Sequence, residues 1–207
     1  MKNLFFKINE SLRENKMYYS LILLFFFVGI VLGVCTIKYM NDGDKNDLLN
    51  YFDAFIRTSG ETSVNYFELI INVTVKVLII IVPIVILGFT FFGVPFILII
   101  DLIKGFTLGY TFAFLVNAFG GNGFLMAICV VIPQNLFYIP AIICISTISI
   151  KISSLKFKRK FLKSNNHIYS IGGLSRKIMY IFFVLAIGIL IEVYVSPSII
   201  KLVIEAL

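Results

Sequence analysis

Long apolar runs divide this chain, and the polar stretches between them are short. The first run is YYSLILLFFFVGIVLGVCTI, residues 18–37. About 20 apolar residues wound as an α-helix match a hydrocarbon core about 30 Å thick. The run is too long for a signal-peptide core, and no small-x-small cleavage site follows it. Val34 is a poor neighbour for a lipoprotein cysteine at Cys35, so the helix is expected to stay. Residues 71–118 are apolar but too long for one crossing. Gly93-Val94-Pro95, Asp101 and Lys104-Gly105 interrupt them, which predicts helices at about 71–92 and 96–118. The break between them belongs near a membrane surface or inside the bundle, because lipid-exposed irregular backbone is not tolerated. Gly120-Gly121-Asn122-Gly123 predicts a tight turn. Residues 124–150, which contain Pro133 and Pro140, predict a fourth span, and residues 178–195 a fifth. The expected fold is all-α: a polytopic membrane helical bundle of five transmembrane helices, with residues 1–207 as a single membrane domain.

The polar stretches set the expected orientation. In residues 1–17, Leu4, Phe5, Ile8 and Leu12 recur at helical spacing among mixed charges, which predicts a short interfacial helix. The outer loop, 38–70, holds six acids against three bases, whereas the loop 151–177 holds eight bases and no acid. Basic loops stay in the cytoplasm. The 151–177 loop is therefore expected inside, and 38–70 outside. Passing from an outer loop to an inner one takes an odd number of crossings, which the three helices between them supply. The N-terminus is then cytoplasmic and the C-terminus extracytoplasmic. Residues 196–207 read as a separate short amphipathic helix, with Ser196 as its cap and Pro197 in its first turn.

Composition agrees with this class. Hydrophobic residues make up 59% of the 207 and charged residues 14%, against about 25% charged in soluble domains. A chain of this size cannot hide so much apolar surface from water. Without Trp, interfacial anchoring falls to Tyr, Lys and Arg. The net charge of +7 is concentrated in the basic loop. It reads there as a topology determinant and a contact for anionic lipid, not as a nucleic-acid site. Cys35, Cys129 and Cys144 lie in apolar runs and read as small hydrophobes.

Candidate chemistry is sparse. Asp101 and Lys104 lie three residues apart on one helix face, a spacing that lets them neutralise each other or serve an ion path. A proton relay needs a second acid at mid-depth; Glu192 is the candidate, and it falls near the outer end of the last span. Lys76 also falls near an outer helix end, from which it snorkels. Gly105, Gly109, Ala113 and Asn117 form a small-residue stripe that lets two backbones approach, within the bundle or between copies in a homo-oligomer. Asn117 has the chemistry to add a hydrogen bond across that contact. Pro133, Gln134, Asn135 and Pro140 concentrate polarity in the fourth span. The amides are placed to satisfy carbonyls freed by the prolines, to grip another helix, or to build a midplane site. In the outer loop, Leu48, Leu49, Phe52, Phe55 and Ile56 form one face of an amphipathic helix. That face rests on the membrane or bundle, or docks a partner. His167 is the single histidine, too few for a zinc site or a triad. There is no P-loop, HExxH or GxSxG. The residues predict no enzyme, no metal site and no cofactor.

Particular strings go further. LIKGFTLGYTFAFLVNAFGGNGF (102–124) and VIPQNLFYIP (131–140), together with the Gly93-Val94-Pro95 turn, resemble the stage II sporulation protein M family. The acidic outer loop, the basic loop and the closing Ser196-Pro197 segment sit where that family has them. The resemblance implies a protein of the mother-cell septal membrane in an endospore-forming bacterium. It implies a non-enzymatic scaffold for engulfment, with two peptidoglycan-degrading partners, the sporulation proteins D and P. The alternative reading of the residues is a small-solute or ion transporter or channel component, with a polar path near Pro133–Asn135 and Asp101.

Overall fold

A computed structural model of the chain describes residues 16–50, 65–118, 120–162 and 171–205. The described backbone is helical apart from short turns and contains no strand. Helix α1 is Lys16–Lys38, and α2 begins at 42 and is described to 50. Helix α3 is Tyr66–Gly88, α4 is Gly93–Ala118, α5 is Gly120–Leu162 and α6 is Ile171–Glu205. All but α2 are long and apolar enough to cross a membrane, which makes five spans, as predicted.

Several boundaries differ from expectation, each for a local reason. Helix α3 starts at Tyr66, not at 71, because Asn65 caps it. The Asn65 side chain accepts from the Glu68 backbone N–H at 3.5 Å, and Glu68 stands where a first-turn acid meets the helix dipole. The helix then ends at Gly88, before the expected 92. Gly93-Val94-Pro95 opens α4 instead of breaking it, since proline in a first turn forfeits no intrahelical bond. Gly120-Gly121-Asn122-Gly123 is likewise helical, not a turn: α4 ends at Ala118 and α5 begins at Gly120. The chain folds back so tightly there that a Cβ on Gly123 would fall 2.6 Å from the carbonyl oxygens of Leu115 and Val116. The basic stretch is helical over 151–162 and 171–177, since Lys and Arg are good helix formers; residues 163–170 lie outside the described residues. Residues 196–205 continue α6 and do not form a separate helix. Pro197 removes one backbone donor without ending the helix. The expected helix in 1–17 and residue His167 lie outside the described residues.

Packing fixes which helix ends share a face of the bundle. Tyr18, at the start of α1, donates to Ser154 near the end of α5 at 3.3 Å. The α3–α4 turn lies on the same stretch of α5. A Cβ on Gly88 would meet the Ser149 Cβ at 2.8 Å, and one on Gly93 the Ser153 hydroxyl at 3.0 Å. Lys156 donates to the Phe89 carbonyl at 2.9 Å. At the opposite end, Ile37 of α1 joins Ala113, Phe114 and Leu115 of α4 and Met126, Ala127 and Val131 of α5. There too Tyr66 and Tyr194 stack, with ring centroids 5.5 Å apart. A larger apolar core takes Ile22, Val77, Ile81, Ile84, Ile97, Tyr138, Ile142, Ile145, Ile181 and Leu185 from all five spans. Phe27, Ile79, Phe96, Leu125, Leu136, Met179 and Phe183 stay exposed, an outer coat suited to lipid.

The closest packing joins α1 to α4. Gly29 and Gly33 of α1 face Gly105 and Gly109 of α4. A Cβ on Gly109 would fall 2.9 Å from both the carbonyl carbon and the Cα of Ile30, and one on Gly29 would fall 2.9 Å from the Phe106 nitrogen. These are backbone atoms, so only glycine fits on either side. Gly105 and Gly109 of the predicted stripe therefore face inward and meet a matching pair on α1, and Ala113 is buried, whereas Asn117 is exposed.

Candidate functional site

Polar residues gather at mid-depth in a cleft between α3, α4, α5 and α6. Its volume is about 160 Å3, and its lining includes Lys76, Lys104, Thr107, Thr111, Gln134, Asn135, Tyr138 and Glu192. Four separate helices supply them, so no short motif could have revealed the grouping.

Lys76 lies ten residues past the start of α3, about 15 Å along it. It is not the end-of-helix snorkeller that the predicted boundary of 71 implied. Its ammonium pairs with the Glu192 carboxylate of α6 at 3.0 Å, and the two side chains are 64% and 10% exposed respectively. Lys104, on α4, stands 6.0 Å from the centroid of the Tyr138 ring, within cation–π range. A glycine places that ring: a Cβ on Gly188 of α6 would fall 2.7 Å from Tyr138 Cε1. Asn135 Oδ1 is buried without a hydrogen-bond partner; Tyr138 Oη and Glu192 Oε2 are buried too and face each other without closing to full hydrogen-bond distance. Asn135 spends its amide on the Val131 carbonyl of its own helix, at 2.7 Å. Proline 133 frees the carbonyl four residues earlier, at Cys129, so Asn135 does not repair that gap.

Asp101 belongs to a different place. It is 1% exposed and accepts from Ser146 at 2.7 Å. Its second oxygen has no partner. The expected Asp101–Lys104 pair does not form among the described contacts, because Asp101 turns to the serine-lined side of α5 while Lys104 turns to the cleft. Ser146, Ser149 and Ser153 share that face of α5 and are all buried. Pro133 and Pro140 do not line the cleft either. Asn117 bonds the Ala113 carbonyl of its own helix at 2.8 Å and adds no bond across helices. In the amphipathic face, Leu48 and Leu49 pack on the cluster at the Ile37 end of the bundle. Phe52, Phe55 and Ile56 lie outside the described residues.

Of the predicted polar set, then, the cleft unites Lys104, Gln134 and Asn135. Tyr138, Thr107 and Thr111 were missed; Glu192 lies near the outer end of the last span, Ile178–Val195, as expected, and Lys76 lies deeper in its helix than the predicted start implied. The capping pair Asn65 and Glu68 was the available signal for Lys76, because it moves the start of the helix. Among the described residues no group of His, Cys, Asp and Glu could hold a metal ion.

The family model of stage II sporulation protein M matches residues 22–197 of the chain, which reaches into all five spans. No curated protein and no solved structure matches it.

Proposed function

We propose that this chain, which belongs to the stage II sporulation protein M family, is a non-enzymatic membrane scaffold of the engulfment machinery. In this reading it anchors peptidoglycan-degrading proteins, the sporulation proteins D and P, at the septal membrane of the mother cell. The observation that carries the reading is the family match across residues 22–197, laid over a bundle whose helices touch backbone to backbone. Such a bundle suits a fixed platform. The basic end of α5 lies in the cytoplasm by the charge rule, which leaves α2 and the end of α6 on the outer face, where wall-degrading partners work. Co-purification of the tagged full-length protein from sporulating cells tests this. Both partners are expected in the eluate. A protein that runs alone, with hydrolase localisation unchanged on its deletion, refutes the scaffold.

A second reading has the cleft in its favour: a small-solute or ion transporter component. The Gln134 and Asn135 half of its expected path lines the cleft, whereas Asp101 lies apart on Ser146. Solute flux in liposomes that falls on Gln134→Ala would favour it.

A further inference from the structure

A lysine inside a bilayer must reach the headgroups or be covered by polar groups. Lys76 lies ten residues from one end of α3 and twelve from the other, about 15 and 18 Å. A four-carbon stem is shorter than either distance. Glu192 engages its ammonium, yet the Lys76 side chain remains 64% exposed. Thr107 and Thr111 are exposed beside it on α4, with their hydroxyls bonded to carbonyls of their own helix at 2.9 and 2.8 Å. The cleft thus opens on the outer surface of the bundle, midway along α3.

The interior of the cleft is equally incomplete. Lys104 feels the Glu192 carboxylate, but Glu192 makes its contact-distance ion pair with Lys76. Asn135, 7% exposed, leaves a buried amide oxygen unsatisfied, and Tyr138, 4% exposed, faces the Glu192 carboxylate without closing to full hydrogen-bond distance. Two lysines against one glutamate leave a formal charge of +1 in the lining. Lipid tails supply none of the missing partners. Water would fill about five molecular volumes in 160 Å3, but it does not cover the outer face of Lys76. A second copy brings no acid at this depth: Asp101 is buried on Ser146, Glu192 already sits in its own cleft, and Glu68 and Glu205 stand at the ends of α3 and α6.

From this geometry we infer that a membrane-spanning helix of a different protein packs across the mouth of the cleft and inserts an acidic side chain from near its middle toward Lys104. The apolar flanks of that helix cover Lys76, Thr107 and Thr111. The inference rests on the scaffold reading for the partner's role, but the incomplete polar cleft stands without it.

The test uses the full-length protein in liposomes of phosphatidylcholine and phosphatidylglycerol. The probe is a labelled Leu/Ala transmembrane peptide of about 23 residues with Asp or Leu at its centre, and association is read by energy transfer. The Asp peptide is expected to associate about tenfold more tightly than the Leu peptide. Lys104→Gln is expected to remove that difference while the melting temperature holds. Should Lys104→Gln fail to fold, Thr111→Leu, at an exposed position, blocks the mouth of the cleft and is expected to give the same loss. Equal association of the two peptides overturns the inference. So does a preference that survives both variants, or displacement of the Asp peptide by free succinate, which would make this a solute site. Peptide selectivity without co-purification of the hydrolases refutes the scaffold and leaves the cleft. Co-purification with no peptide selectivity does the reverse.

Discussion

Replacing Gly109 by leucine tests whether the α1–α4 contact holds the bundle together. The new Cβ would lie 2.9 Å from the Ile30 carbonyl carbon and Cα, about 1 Å inside an ordinary carbon–carbon contact. Backbone atoms cannot rotate out of the way, so the two helices must separate along the whole crossing that Gly29, Gly33 and Gly105 also define. Overpacking of this kind costs about 1–3 kcal/mol, and separation forfeits neighbouring contacts besides. A loss of about 3 kcal/mol lowers the melting temperature by roughly 6–12 °C in a chain this long. Alanine at 109 is the sharper probe. It gains up to about 1 kcal/mol of helix propensity, yet its Cβ meets the same backbone, so a net loss of about 1 kcal/mol is expected. Thermal unfolding of the full-length protein in mild detergent measures both, with Ile103→Ala at a lipid-facing position as the control. The expected order of stability is wild type, then Ala, then Leu. Melting of Gly109→Leu at the wild-type temperature would refute the reasoning and put the stripe against lipid.

Glu192→Gln should destabilise the bundle, since it leaves Lys76 without its counter-charge. The double change Lys76→Met with Glu192→Leu should recover most of the loss, giving a coupling of at least about 1 kcal/mol in a double-mutant cycle. Ser146→Ala strips Asp101 of its donor and should cost about 1–3 kcal/mol; unfolding that matches wild type would show that the carboxyl group finds another partner. Orientation is open to cysteine labelling with a membrane-impermeant reagent. Asn46→Cys should react in intact protoplasts and Asn165→Cys only after permeabilisation. The opposite pattern would invert the topology.

The five spans were legible because hydropathy over 20 residues reports the solvent directly. The inward-facing stripe was legible in part: Gly105 and Gly109 stood out at a spacing of four, but the matching Gly29 and Gly33 passed as ordinary members of an apolar run. Helix ends were less legible. Phe89–Phe92 are as apolar as the helix before them, so hydropathy ran past the true stop at Gly88, and the same shift at the start hid the depth of Lys76. The fates of Asp101 and Lys104 could not be read at all from their spacing of three. Their surroundings come from Ser146 and Tyr138, which only the tertiary fold brings near. Sequence proximity proposed a pair, and packing gave each residue a different neighbour.

Helix α5 runs unbroken through 43 residues, about 65 Å, roughly twice the hydrocarbon thickness. Its far turns carry Lys156 and Lys160 among Phe89, Phe91, Phe157 and Phe161, with the Lys160 ammonium 3.7 Å from the centre of the Phe91 ring. Its middle carries Asn135 and Tyr138, and no loop lies between the two regions. Such a helix is a rod: a push or pull on its basic end is delivered to the walls of the cleft with little slack to absorb it. Pro133 and Pro140 each remove one backbone donor on either side of those cleft residues, yet the helix continues through both.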